Sequence, residues 1–189
     1  KLHHLLLLLH EHCQITVIPN EARHLKSESW TRLLDSLGVR YALIEDLPAK
    51  LEGFALALCN DCFFVERIAH RAKDKGLKVI WSGEMMWHHV GEVEAFRDGV
   101  VDKVLYVSEL QRAALAPGHG AVPWQITGNY IDPARYQFRE RRSETFTIGR
   151  LSRAAPEKYP EDFPVFYERI ELPDTRFRWL FHAAAGDCD

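Results

Sequence analysis

Four groups of residues in this 189-residue chain have types and spacings suited to chemistry. Glu84, His88 and His89 stand in the run Trp81-Ser82-Gly83-Glu84-Met85-Met86-Trp87-His88-His89. A carboxylate and two imidazoles offer a general base, and the indoles offer a stacking surface for a sugar or another flat ligand. The plain alternative is that the Met and Trp side chains fill a loop under the helix layer. Adjacent histidines point apart on a strand and lack the i, i+4 geometry of a helical zinc site, so no metal is expected at His88 and His89. The second group is Gly149, Arg150, Arg153 and Lys158, set around a proline-containing turn between a β-rich run and a helix-like segment. Glycine lets backbone approach a ligand, a helix N-terminus presents free N–H groups, and Arg or Lys gives charge-assisted hydrogen bonds to phosphate oxygens. The third is Ser108 and Arg112 in Ser108-Glu109-Leu110-Gln111-Arg112, where helix capping explains the serine and exposure explains the arginine.

The fourth group is Cys59-Asn60-Asp61-Cys62, which has the spacing of a redox or metal motif. No second cysteine pair completes a zinc site, and the flanking strand-helix units are too many for a thioredoxin, so the pair is read as unreactive. With Cys13 and Cys188 the four cysteines make no disulfide framework, and a reducing cytoplasm is expected. His3, His4, His10, His12, His24, His70, His119 and His182 are scattered and are given no role.

The elements that must position these residues follow from pattern. Residues 14–19, 40–44, 54–59, 78–81, 103–107 and 123–127 read as strands, rich in β-branched and apolar residues between turn signals. Helices are expected around Trp30 to Leu37, over 63–75 with Gly76 as its stop, and over 109–115 behind the capping Ser108. Strands alternating with helices make βαβ units, hence an α/β, Rossmann-like parallel sheet with helices on both faces. Ligands of such sheets bind beyond the carboxyl ends of the strands, where Glu84 and Ser108 fall. Residues 1–134 form this first domain, 135–144 a charged linker, and 145–189 the start of a second βαβ domain with strands over 145–151 and 176–181 and a helix over 161–170. That last stretch is too short for an independent core of ordinary size, and residues 183–189 are expected to fray. The apolar run from Leu5 to Leu9 reads as the end of a helix rather than a signal peptide or a membrane span. A net charge of −3 argues against a dedicated nucleic-acid binder.

Two phrases add a resemblance. Val107-Ser108-Glu109 with Arg112, and Asn129-Tyr130-Ile131-Asp132-Pro133 followed by Ile148-Gly149-Arg150-Leu151 and Lys158, resemble the GT-B glycosyltransferases of the family-four (glycosyl transferases group 1) type. The resemblance implies transfer of a sugar from a nucleotide-diphosphate sugar to an acceptor in a cleft between two domains, with no required cofactor or metal. Gly149, Arg150, Arg153 and Lys158 would bind the donor diphosphate. Glu84, His88 and His89 would lie on the acceptor side as the catalytic candidates, near Ser108 and Arg112. The acceptor is left open among carbohydrate, lipid and protein, and a peripheral membrane association is left undecided. Arg150 and Lys158 are spaced more widely than the common family pattern. The glycine-rich loop and the paired-glutamate motif of these enzymes are not seen, which implies a fragment, inactive by itself. A non-catalytic nucleotide- or sugar-binding module on the same layers is the alternative. A nicotinamide-dependent oxidoreductase is disfavoured, since no Gly-x-Gly-x-x-Gly follows any strand.

Overall fold

A computed structural model describes residues 2–58, 61–129, 137–138, 140, 146–153, 165 and 177–184, the two strands at 146–153 and 177–184 as backbone. The chain divides into two compact units, Lys1–Tyr136 and Gln137–Asp189. It is an α/β protein of Rossmann-like type with parallel sheets. Among the described residues no helix is long and apolar enough to cross a membrane.

The first unit opens with helix α1 (Leu2–Leu9), strand β1 (Thr16–Val17), a 3-10 turn (Ala22–Lys26), helix α2 (Glu28–Ser36) and strand β2 (Arg40–Tyr41). A second 3-10 turn (Ile44–Asp46) leads to β3 (Phe54–Leu58), α3 (Cys62–Val65), α4 (Ile68–Asp74), β4 (Lys78–Ser82), α5 (Glu92–Arg97), β5 (Lys103–Tyr106), α6 (Glu109–His119) and β6 (Trp124–Ile126). The six strands do not make one sheet. Among the described residues β1 pairs only with β2, while β3-β4-β5-β6 form a separate four-stranded parallel sheet.

Alternation explains which face of that sheet is buried. Val79 and Trp81 on β4 and Val104 and Tyr106 on β5 are buried, and Trp81 stands opposite Val104 and beside Ala57. Side chains two apart on a strand share a face, so these residues form one apolar layer. Phe63, Phe64, Ile68, Ala69 and Ala72 from α3 and α4, Ala95 and Phe96 from α5, and Leu115 from α6 complete the cluster. Leu6, Val17, Leu34 and Val39 make a smaller second core around β1 and β2.

Three expectations are corrected. The helix expected over 63–75 is two helices, because Arg67 takes a left-handed backbone (φ 56°) between α3 and α4. In the second unit β7 (Phe146–Arg153) runs past Leu151, so Arg153 lies in the strand with Arg150 and not on the turn after it. β8 (Phe177–Ala184) likewise takes in Ala183 and Ala184, part of the stretch expected to fray. The reason is the same for both: β7 and β8 pair in parallel over their whole length, Phe146 opposite Phe177 through Arg153 opposite Ala184. Ladder hydrogen bonds override weak local strand preference. Lys158 and the helix expected over 161–170, except Val165, lie outside the described residues.

One ion-pair group ties sheet to helix. Asp102, just before β5, accepts from the Val79 backbone N–H at 2.8 Å and from the Lys73 ammonium at 2.6 Å, with Lys78 at 3.9 Å. Burial alone would raise the Asp102 carboxyl, but these hydrogen bonds and charges hold it below the usual aspartate value. A depressed folded-state value stabilises the fold above the unfolded-state value of about 4 and is lost as pH falls through the folded one. Urea midpoints should therefore drop as pH falls below about 5, and Asp102→Asn should flatten that part of the profile.

Candidate functional site

All four strands of the larger sheet are parallel, so their carboxyl ends share one edge. The loop from Gly83 to Gly91 leaves β4 at that edge, and Ser108 follows β5 there. The sequence-predicted Glu84, His88, His89, Ser108 and Arg112 thus belong to neighbouring segments of one unit. Gly149, Arg150 and Arg153 belong to the other unit, and Lys158 to the undescribed residues.

The loop is held from below by a buried polar cluster. Glu92, in the first turn of α5, is 1% exposed, and His119, at the end of α6, is 3% exposed. Glu92 Oε1 accepts from Trp81 Nε1–H at 3.0 Å and from His119 Nε2–H at 2.6 Å. Its Oε2 accepts from the backbone N–H of His89 at 2.8 Å. Since a carboxylate only accepts, His119 Nε2 carries the donated proton, and in the neutral ring Nδ1 accepts from the Tyr106 hydroxyl at 2.7 Å. Burial alone would push the Glu92 carboxyl up. The hydrogen bond from His119, the His89 N–H, the attraction of the imidazole and the Trp81 indole outweigh it and hold the group below the usual glutamate range. Tyr106 is pushed up to about 12, by burial first and then by the charge on Glu92, so its hydroxyl keeps its proton.

Two contacts from α6 fix the loop from the side. Gln111, fully buried, donates from Nε2 to the Met85 carbonyl at 2.9 Å and accepts the Val107 N–H on Oε1 at 2.8 Å. His88 donates from Nε2 to the Leu115 carbonyl at 3.0 Å. Close approach at this point needs a glycine, because a Cβ on Gly118 would sit 2.5 Å from His88 Nε2. The His89 ring meets Trp81 edge to face at 5.6 Å, and Trp81 in turn stacks on Phe63. Met85, Met86, Trp87 and Val90 remain exposed along the loop, Trp87 at 62%. The loop is thus a rigid base with an apolar and aromatic outer surface, a surface on which a sugar face can stack.

The remaining sequence candidates have structural partners. Ser108 Oγ accepts from the Gln111 N–H at 3.2 Å and caps α6. Arg112 pairs with Glu109 at 2.7 Å and lies over the Trp124 ring at 4.6 Å, so ring and carboxylate contacts, not bare exposure, define its place. Asp61 caps the Cys62 N–H at 2.9 Å. The Cys62 thiol is pushed up, by burial first and then by Glu66 and Asp61, which opposes a reactive thiolate there. Cys59 lies outside the described residues.

Sequence reasoning missed Glu92, His119, Tyr106 and Gln111. The one available signal was the i, i+4 spacing of His88 and Glu92. No protein-family model, curated protein or solved structure matches this chain.

Proposed function

We propose that this protein transfers a sugar from a nucleotide-diphosphate sugar to an acceptor hydroxyl, the acceptor being a carbohydrate, lipid or protein. The observation that carries the reading is the placement of Glu84, His88 and His89 on a braced loop at the carboxyl edge of a parallel sheet, where ligands of such folds bind. The Rossmann-like first unit followed by a second unit with a parallel strand pair accords with a two-domain GT-B layout. In the reaction a base on the loop takes the acceptor proton, the acceptor oxygen bonds to the anomeric carbon, and the bond to the diphosphate breaks. Gly149, Arg150, Arg153 and Lys158 take the diphosphate, and Arg150 and Lys158 offset the charge that develops on the leaving nucleotide. His88 spends Nε2 on the Leu115 carbonyl, and Glu84, His88 and His89 are all carried as candidates for the base. No metal or cofactor is required for the transfer.

The test is a split between turnover and donor binding in the protein expressed from its whole reading frame. One of Glu84→Gln, His88→Asn and His89→Asn should lower kcat by about 100-fold or more while donor affinity stays within a factor of a few. Normal turnover in all three variants overturns the assignment of the base to this loop. The second reading is a non-catalytic sugar- or nucleotide-binding module, favoured by the exposed aromatic surface of the same loop. It predicts donor that is bound and recovered intact.

A further inference from the structure

We propose that His88, Glu92 and His119 form a zinc-binding site that locks the loop to α5 and α6. Each side chain offers one donor atom, and the three atoms lie within 4.8 Å of one another. The residues come from three places: the loop before α5, the first turn of α5, and the end of α6. Two imidazoles and a carboxylate are a donor set that zinc accepts, with a fourth position for water.

The surroundings hold these side chains as ligands are held. His88 is tethered by Nε2 to the Leu115 carbonyl, Glu92 by Oε2 to the His89 N–H, and His119 by Nδ1 to the Tyr106 hydroxyl. Hydrogen bonds of this kind, to a carbonyl, a backbone amide or a hydroxyl, orient metal ligands and set their tautomers. The rings of His88 and His119 already meet edge to face at 5.0 Å.

Geometry requires a small adjustment. Donors about 2.1 Å from a tetrahedral zinc stand about 3.4 Å apart. His119 Nε2 and Glu92 Oε1, now 2.6 Å apart across a shared proton, must separate by a little under an ångström. The widest pair in the set, no more than 4.8 Å apart, need close by no more than about 1.4 Å. The proton on Nε2 moves to Nδ1 as the ring changes tautomer, and the Tyr106 hydroxyl turns from donor to acceptor. The ring keeps one proton throughout and gives its Nε2 lone pair to the metal.

The experiment is calorimetric titration of the chelator-treated chain with zinc chloride alone. The expected result is one zinc per chain with a Kd below about 1 µM. His88→Gln, at a half-buried position, should weaken binding by about tenfold or more, and Glu92→Gln should do the same. Cobalt should give the intense visible bands of a tetrahedral site in the unmodified chain and lose them in His88→Gln. Replacing His3, His4, His10 and His12 together by Gln should leave the affinity within about threefold. Absence of saturable zinc binding by the unmodified chain overturns the proposal and leaves a hydrogen-bonded cluster only. So does binding that survives His88→Gln and vanishes with the four N-terminal histidines. Neither result bears on sugar transfer, so this proposal and the functional one fail separately.

Discussion

Glu92→Ala should destabilise the protein by about 3–5 kcal/mol, measured as a fall in the urea midpoint followed by Trp fluorescence in the presence of a chelator. The change strips one acceptor group from three donors at once: Trp81 Nε1–H, His119 Nε2–H and the His89 backbone N–H. Two of the three are shut off from water, Trp81 at 0% and His119 at 3% exposed. An unmet buried donor costs about 1–3 kcal/mol, and a cavity the size of the lost side chain adds to that. Against a total stability of about 5–15 kcal/mol the loss is large. Glu92→Gln keeps an oxygen that accepts but adds an amide with two hydrogens and no new acceptor, so its loss should be smaller. A Glu92→Ala protein within about 1 kcal/mol of the parent would show that the cluster does not brace the loop.

How much of this was legible in the sequence depends on the range of the interaction. The strands at 78–81 and 103–107 were legible because each is a short β-branched and apolar run between turn signals, a pattern set within one segment. The break in the helix at Arg67 was not, since nothing in Phe64-Val65-Glu66-Arg67-Ile68 contains glycine or proline. Helix α5 was missed as well. It is six residues long and acidic in its first turn, and its buried Glu92 is a residue type that pattern assigns to the surface. Glu84, His88 and His89 were found because they fall just after a strand. Their supports were not found, because Gln111, Leu115 and His119 reach the loop from 26 or more residues away along the chain. Single-sequence reading has no measure of such distances. In the second unit the extension of β7 to Arg153 depends on pairing with β8, again a contact between distant segments.

The second large effect is on turnover. In the protein expressed from its whole reading frame, Arg150→Ala should lower donor turnover by about 100- to 1000-fold with the fold intact, and Lys158→Ala should act in the same direction. A guanidinium meets two phosphate oxygens at once through its planar fork, whereas an ammonium is a single point of charge, so Arg150→Lys should recover only part of the loss. Under the proposed function Arg153, the last residue of β7, shares the anion-binding role, and its loss alone should have a smaller effect. Circular dichroism and urea midpoints separate a lost contact from a lost fold. Near-normal turnover in both Arg150→Ala and Lys158→Ala would sink the assignment of this stretch to the donor.

The most direct measurement is the fate of the sugar. The protein is incubated with nucleotide-diphosphate sugars labelled in the sugar, together with carbohydrate, lipid and peptide acceptors, and both label and nucleotide are followed. The account predicts release of nucleoside diphosphate with the label recovered on one acceptor class. Donor that binds and is recovered intact across the whole panel would contradict it.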